Sequence, residues 1–303
     1  MKDLSKSIDF LLENAGPVIQ YRLRKEILQS ITAAEEERLL NEIYQTPYFK
    51  LVQGYVKPSG YIGSGMHSWD NWRGVKLHET PLQDGETAAR LLSYYAIPKT
   101  HPIVVNFVAA MRDEGILREE FAYIPPEIPR FKNRFLGINS GYSLMILIYT
   151  MQALLGYGDE YAKPFQKVAL EAFRSILPIS SLDEITMTRQ SRAKCNYPYI
   201  EESMYYPCQY HLESLAYTND WRTPENIKLM ADALNHYNMI RLEPDYTKKT
   251  ALDCDLTFWA VQFLYLCGRC GIPHKSRTEA LWHRERNRSM SSLDYIRKTA
   301  WSR

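Results

Sequence analysis

The sequence predicts an all-α fold: an α/α toroid, or partial barrel, of about five helical hairpins, with inner apolar helices ringed by outer amphipathic ones. Three observations predict it. A helix-opening proline recurs at Pro102, Pro164 and Pro224, a period of roughly sixty residues, as stacked repeats require. Each of these prolines separates an apolar helical pattern from a more amphipathic one. No run of alternating apolar and polar residues bounded by hairpin turns signals a strand.

The elements follow in order. Met1 to Gly16 mixes Lys2, Asp3, Lys6, Asp9 and Glu13 with apolar residues. That pattern reads as an amphipathic helix and not as a signal peptide. It opens a weaker copy of the hairpin, DFLLENAGPVIQYRLRKEIL, around Pro17. An additional helix is expected near Ala34 to Tyr44. The first clear copy is RLLSYYAIPKTHPIVVNFVAAM, around Pro102. The second is TMQALLGYGDEYAKPFQKVALEAF, around Pro164, and the third is ESLAYTNDWRTPENIKLMADAL, around Pro224. Proline suits the first helical turn because its missing N–H would have no partner there. Thr100, Asp220 and Thr223 supply polar groups near those starts. A weaker last copy, TFWAVQFLYLCGRCGIPHKSRTEALWH, surrounds Pro273, and a short helix is expected near Ser291 to Trp301.

Within a hairpin the two helices differ in kind. SLMILIYTMQALL is apolar nearly all round, which implies burial on most sides, whereas KPFQKVALEAFRSIL carries a polar face and implies an outer position. Long connections precede the inner helices: Lys57 to Asp84, Glu119 to Ser140, Pro178 to Pro207 and Glu243 to Leu252. Connections this long without helices of their own are usually functional. If the inner helices run parallel, these connections gather at one end and form a mouth.

Composition sets the class. The 303 residues are 45% hydrophobic and 24% charged, which is globular and argues against disorder. A net charge of +2 offers no global attraction for nucleic acid or an anionic membrane, so no nucleic-acid partner is expected. The most apolar stretch, Tyr142 to Leu155, is too short for a membrane span and contains Gln152. Five cysteines, Cys195, Cys208, Cys254, Cys267 and Cys270, do not form a secreted disulfide framework in a chain of this length. The reading is a single domain over residues 1–303, placed in the cytoplasm. Tyrosine is abundant, with 22 copies, and its large ring with a polar tip suits cavity walls.

The hairpin repeat resembles the terpenoid cyclase and protein prenyltransferase superfamily, whose members are α/α toroids with an apolar, aromatic central cavity, including squalene-cyclase-like repeat proteins. Asp253-Cys254-Asp255-Leu256 resembles the Asp-x-Asp-Asp motif of class II terpene cyclases, with Leu256 in place of the last Asp. The resemblance implies that Asp255, at the third position, is a general acid assisted by Asp253. Protonating an alkene needs a strong, aimed acid in a dry cavity. Acids at a helix start also cap free N–H groups.

Other candidates are read from residue type and place. Trp69, Trp72 and Arg73, in HSWDNWRGVKLHETPLQDGE, suit an aromatic, isoprenoid or sugar ligand. Glu86 falls on an inner helix, where a carboxylate needs a partner or a purpose; Asp84 caps that helix. Tyr142 and Tyr206 would shape the cavity. Cys208 and His211, in YYPCQYHLE, are spaced for shared metal coordination on one helical turn, and His211 is also an acid–base candidate. The resembled prenyltransferases hold zinc with Asp, Cys and His, but their Asp-x-Cys spacing does not occur here. No cofactor is therefore expected, with zinc at Cys208 and His211 the alternative. Cys267-x-x-Cys270 falls on a repeat turn and reads as packing. Arg130, Lys132, Arg134, Arg189, Arg192 and Lys194 are suited to a phosphate or carboxylate, or are solvated loop charges. The basic segment from His274 onward reads as a solvated helical face.

Three functions fit. The first is an acid-initiated cyclase, isomerase or prenyltransferase-like enzyme that takes a largely apolar, isoprenoid small molecule into the central cavity. The second is a carbohydrate-active toroid, hydrolase or lyase, drawing its acid and base from Glu86, Asp255, His211 or Tyr206. The third is a non-catalytic ligand-binding or scaffold protein that has kept the toroid and lost the chemistry.

Overall fold

A computed structural model describes residues 5–66, 84–120, 144–161, 163–180, 209–241 and 265–273. Among them the chain is all α, with no strand and an isolated antiparallel bridge between Val56 and Ile62. No described helix is long and apolar enough to cross a membrane. The chain's contacts divide it into two compact units: Met1–Pro125 with Leu154–Tyr157, and Pro126–Ala153 with Gly158–Arg303.

The first unit begins with α1 (Ser5–Asn14) and α2 (Pro17–Arg22), which runs on through a π-helical turn, Leu23–Ile27. Next come α3 (Ala33–Tyr44), α4 (Pro47–Gly54), α5 (Gly85–Tyr94), α6 (Pro102–Ala110) and α7 (Glu114–Glu120). Pro17, Pro47 and Pro102 each stand at a first helical position. The helix expected at Ala34 to Tyr44 forms one residue earlier, because Thr32 and Glu35 make a reciprocal capping box. In α6 the exposed residues are Pro102, Val105, Asn106 and Ala109, a single stripe, while Ile103, Val104, Phe107 and Val108 are buried.

Two features depart from the sequence reading. α1 buries none of its residues, so the first hairpin copy lacks an apolar inner helix. α4 was not foreseen: its seven residues after Pro47 are too few to display a period, and Thr46 caps it by accepting from Phe49 N at 3.4 Å.

The second unit contains α8 (Leu144–Leu154) up to its last residue, the short α9 (Gly158–Tyr161), α10 (Lys163–Arg174), α11 (Gln209–Ala216), α12 (Pro224–Arg241) and a helical turn at 265–269. The expected difference between helix types is present. In α11 every residue from His211 to Ala216 is buried. In α10 Lys163, Lys167, Glu171 and Arg174 form one exposed stripe, and in α12 Pro224, Glu225, Lys228 and Asp232 do so.

The repeat also appears in the turns. A left-handed residue follows the inner helix at Ala96 (φ 53°), Gly156 (φ 89°) and Gly271 (φ 72°). After α5, Ala96 N donates to Ser93 O and Ile97 N to Leu92 O; after the last helical turn, Gly271 N donates to Gly268 O and Ile272 N to Cys267 O. Both are the same C-terminal motif, which turns the chain toward the next proline.

Within the second unit, contacts keep the repeat's register. Thr150 Oγ1 donates to Tyr210 O at 3.1 Å, and Asp159 Oδ1 accepts from Asn219 N at 2.7 Å. Both links span 60 residues. Two links at one offset mean that α8 and α11 run parallel and level. Arg269 ties the last helical turn to the end of α11: its Nε donates to Ala216 O at 3.0 Å and its guanidinium lies 4.4 Å over the Tyr217 ring.

Candidate functional site

Of the residues selected from sequence, Glu86 lies in the first unit and His211 in the second. Trp69, Trp72, Arg73, Tyr142, Tyr206, Cys208, Asp253 and Asp255 lie outside the described residues, as do the basic loop residues and the basic segment after Pro273.

Glu86 sits in the first turn of α5. Its carboxylate pairs with Arg90 one turn on, at 2.9 Å, with side chains 12% and 21% exposed. The helix start is closed by a glycine-rich turn, Lys57 to Met66. Gly85 N donates to Gly65 O, Glu86 N to Met66 O, Thr87 N to Asp84 Oδ1 and Ala88 N to Asp84 O. Gly85, Glu86 and Thr87 carry the first-turn N–H groups that a helix cannot bond within itself, and all three are taken; Ala88 N makes the first intrahelical bond. Asp84 caps the helix, as its place in the sequence suggested.

The turn is shaped by close approach. Gly63 has φ +80°, and a Cβ there would meet the Asp84 backbone at 3.0 Å; one on Gly85 would meet Tyr61 Oη at 2.8 Å. Glu120 Oε2 accepts from Gly65 N at 3.4 Å and pairs with Lys57 Nζ at 2.6 Å. The glycine spacing in Lys57-Pro-Ser-Gly-Tyr-Ile-Gly-Ser-Gly-Met is the signal that would have marked it as a structured turn.

His211 is 1% exposed and stacks on Phe165 of α10, with centroids 5.9 Å apart and planes at 13°. Phe165 stacks in turn on Tyr149 of α8. Burial drives the His211 pKa from 6.5 down to about 3, so the imidazole is neutral near pH 7. Neutral, the ring presents one N–H donor and one acceptor nitrogen.

Position on the helix separates His211 from a neighbour. Glu213, 1% exposed, lies about 200° round α11 from His211 and so on the face away from Phe165. Gln152 on α8 is also 1% exposed, and its Oε1 has no hydrogen-bond partner among the described residues.

Cys267 and Cys270 are buried, and neither is in a disulfide. Burial pushes Cys270 up to about 12, against the smaller opposing effect of Arg222 and Arg269. A thiol so held is neutral packing at ordinary pH. Among the described residues no group of three or more His, Cys, Asp or Glu side chains is placed to hold a metal. An open concavity runs along α3, lined by Ala34, Glu37, Arg38, Asn41, Glu42 and Gln45; neither Glu86 nor His211 contributes to it.

Compared with protein-family models, curated proteins and solved structures, the chain shows no significant match to any of them.

Proposed function

We propose that this chain is an α/α toroid that takes a small, largely apolar molecule into a cavity walled by its inner helices, as the resemblance to terpenoid cyclases and prenyltransferases implies. One observation supports the reading most directly: within each unit the long connections leave from one end. In the first unit, Gly65 O accepts from Gly85 N while Gly65 N donates to Glu120 Oε2. The chain therefore departs after Met66, returns at Asp84 and departs again after Glu120 at one place. In the second unit, His236 Nε2 lies 2.6 Å from Ile179 O. The C-terminal parts of α10 and α12 thus lie side by side where each leads into a long connection.

In this reading those connections form the mouth. Trp69, Trp72, Tyr142 and Tyr206 supply ring faces to the ligand, and Arg73 a charge at the rim. Asp255 is the acid, assisted by Asp253. Glu86, paired with Arg90, stands at the rim as a fixed ion pair, and neutral His211 serves as a hydrogen-bonding group or as packing.

The test is native mass spectrometry of protein purified from cells, followed by titration with farnesol and squalene. Co-purifying isoprenoid, or saturable binding of either probe, supports the reading. Binding of neither overturns it. With a turned-over substrate in hand, Asp255→Asn should abolish turnover while leaving binding intact; retained turnover removes Asp255 from the acid role.

A carbohydrate-active toroid is the second reading. It is favoured by the buried polar side chains on helices of the inner kind, Gln152 on α8 and Glu213 on α11, which an isoprenoid would not need. Release of reducing or unsaturated ends from a polysaccharide panel would establish it in place of the first.

A further inference from the structure

α6 starts on Pro102, so Ile103 carries the first free amide of the helix. His101 takes it. Its Nδ1 accepts from Ile103 N at 3.2 Å, and its carbonyl accepts from Val104 N at 2.9 Å and Val105 N at 3.1 Å. The usual capping side chains, Ser, Thr, Asp and Asn, present an oxygen that stays an acceptor throughout the working pH range. An imidazole nitrogen does not, because one proton turns it into a donor.

The ring is held in place by other elements. It lies 4.9 Å from the Tyr44 ring at the end of α3, and meets Phe49 of α4 edge-on at 5.7 Å and 87°. Tyr44 is the titratable group facing it from α3. Burial raises the Tyr44 pKa, so its hydroxyl stays neutral. Phe49 carries no charge. In the turn before His101, the Lys99 ammonium lies 5.4 Å over the Tyr157 ring. Burial lowers the basicity of His101; no charged neighbour contributes.

We infer that His101 is a proton-operated cap, which closes the first turn of α6 when neutral and releases it when protonated. On protonation Ile103 N loses its acceptor, and a positive charge arises at a helix N-terminus, where the helix dipole opposes it. The same turn provides Lys99 O, which accepts from Tyr157 Oη at 2.8 Å. Release of the cap therefore loosens the joint between α6 and the stretch Leu154–Tyr157, both in the first unit. Because burial disfavours the charged ring, release occurs below pH 6.5. The inference stands independently of the ligand in the cavity.

Amide exchange by NMR at Ile103 and Val104, corrected for intrinsic rates, tests it in the full chain. As the pH is lowered from about 7.5 until the His101 ring, followed by its own resonances, has taken up its proton, the wild-type protection should fall about tenfold, the size expected for a lost helix cap. His101→Asn caps without titrating, so its protection should stay level. Level protection in the wild type, or an equal loss in His101→Asn, overturns the inference. If His101→Asn does not fold, His101→Ser makes the same comparison.

Discussion

Asp159 and Asn219 stand sixty residues apart and are joined twice: Asp159 Oδ1 accepts from Asn219 N at 2.7 Å, and Oδ2 from Asn219 Nδ2 at 3.0 Å. Asp220 N and Gln166 Nε2 complete the set on Oδ1, at 3.2 and 3.4 Å. One carboxylate thus ties the turn of one hairpin to the turn of the next. Asp159→Ala should destabilise the protein by about 1.5–3 kcal/mol, the scale for losing hydrogen bonds to a charged group, read by urea unfolding. Burial raises the Asp159 pKa, but the hydrogen bonds from Asn219, Asp220 and Gln166 outweigh it and hold the acid below 3.8. A depressed carboxyl stabilises the fold above its unfolded pKa and loses that contribution as pH falls through the folded value. Acid sensitivity below about pH 4 should therefore shrink in Asp159→Ala; an unchanged acid limb would remove Asp159 from that role.

The close packing of Gly158 gives a second test of the same joint. A Cβ there would overlap Thr218 Cγ2 and lie 2.8 Å from Ala153 Cβ. Gly158→Ala should cost about 1–3 kcal/mol, as overpacking does. Thr218→Ser removes the Cγ2 methyl, so the double variant should recover part of that loss. Independent, additive effects in the cycle would refute the contact.

Legibility followed the range of each determinant. The prolines at 102, 164 and 224 set local backbone geometry, and the structure starts or nearly starts a helix at each. Exposed stripes on α6, α10 and α12 follow from a period visible in any window. The turn from Lys57 to Met66 was harder to read, because the approach of Gly63 to Asp84 joins residues distant in sequence. The orientation of His211 was likewise hidden. Spacing placed it on a helical turn with Cys208, but which face it occupies depends on Phe165 of another helix. The residues that carry the acid and aromatic expectations, Asp253, Asp255, Trp69 and Trp72, lie outside the described residues.

His211 gives a pH prediction with a definite sign. Its folded pKa, about 3, is below the ordinary 6.5. The fold favours the neutral ring, so the unfolded state binds the proton more readily. Stability is full above pH 6.5 and falls as pH drops from there toward 3. His211→Phe keeps a ring against Phe165 and removes the proton site, so its stability should vary less over that interval. An imidazole that titrates by NMR between about pH 8 and about pH 6 would contradict the burial account.

Gln152 separates a sealed interior from an occupied one. Its Oε1 is buried and has no hydrogen-bond partner among the described residues. A buried acceptor left without a donor costs about 1–3 kcal/mol, and methionine fills nearly the same volume without that atom. Gln152→Met should therefore raise the unfolding midpoint of protein stripped of small molecules by denaturation and refolding. If Gln152 instead meets a donor carried by a guest, the same substitution should weaken retention of that guest by about tenfold, one lost hydrogen bond. Thermal unfolding of stripped and cell-purified protein, side by side, distinguishes these outcomes. Destabilisation in the stripped protein alone would mean that Gln152 has a donor within the chain, and the carboxamide would then be ordinary core structure.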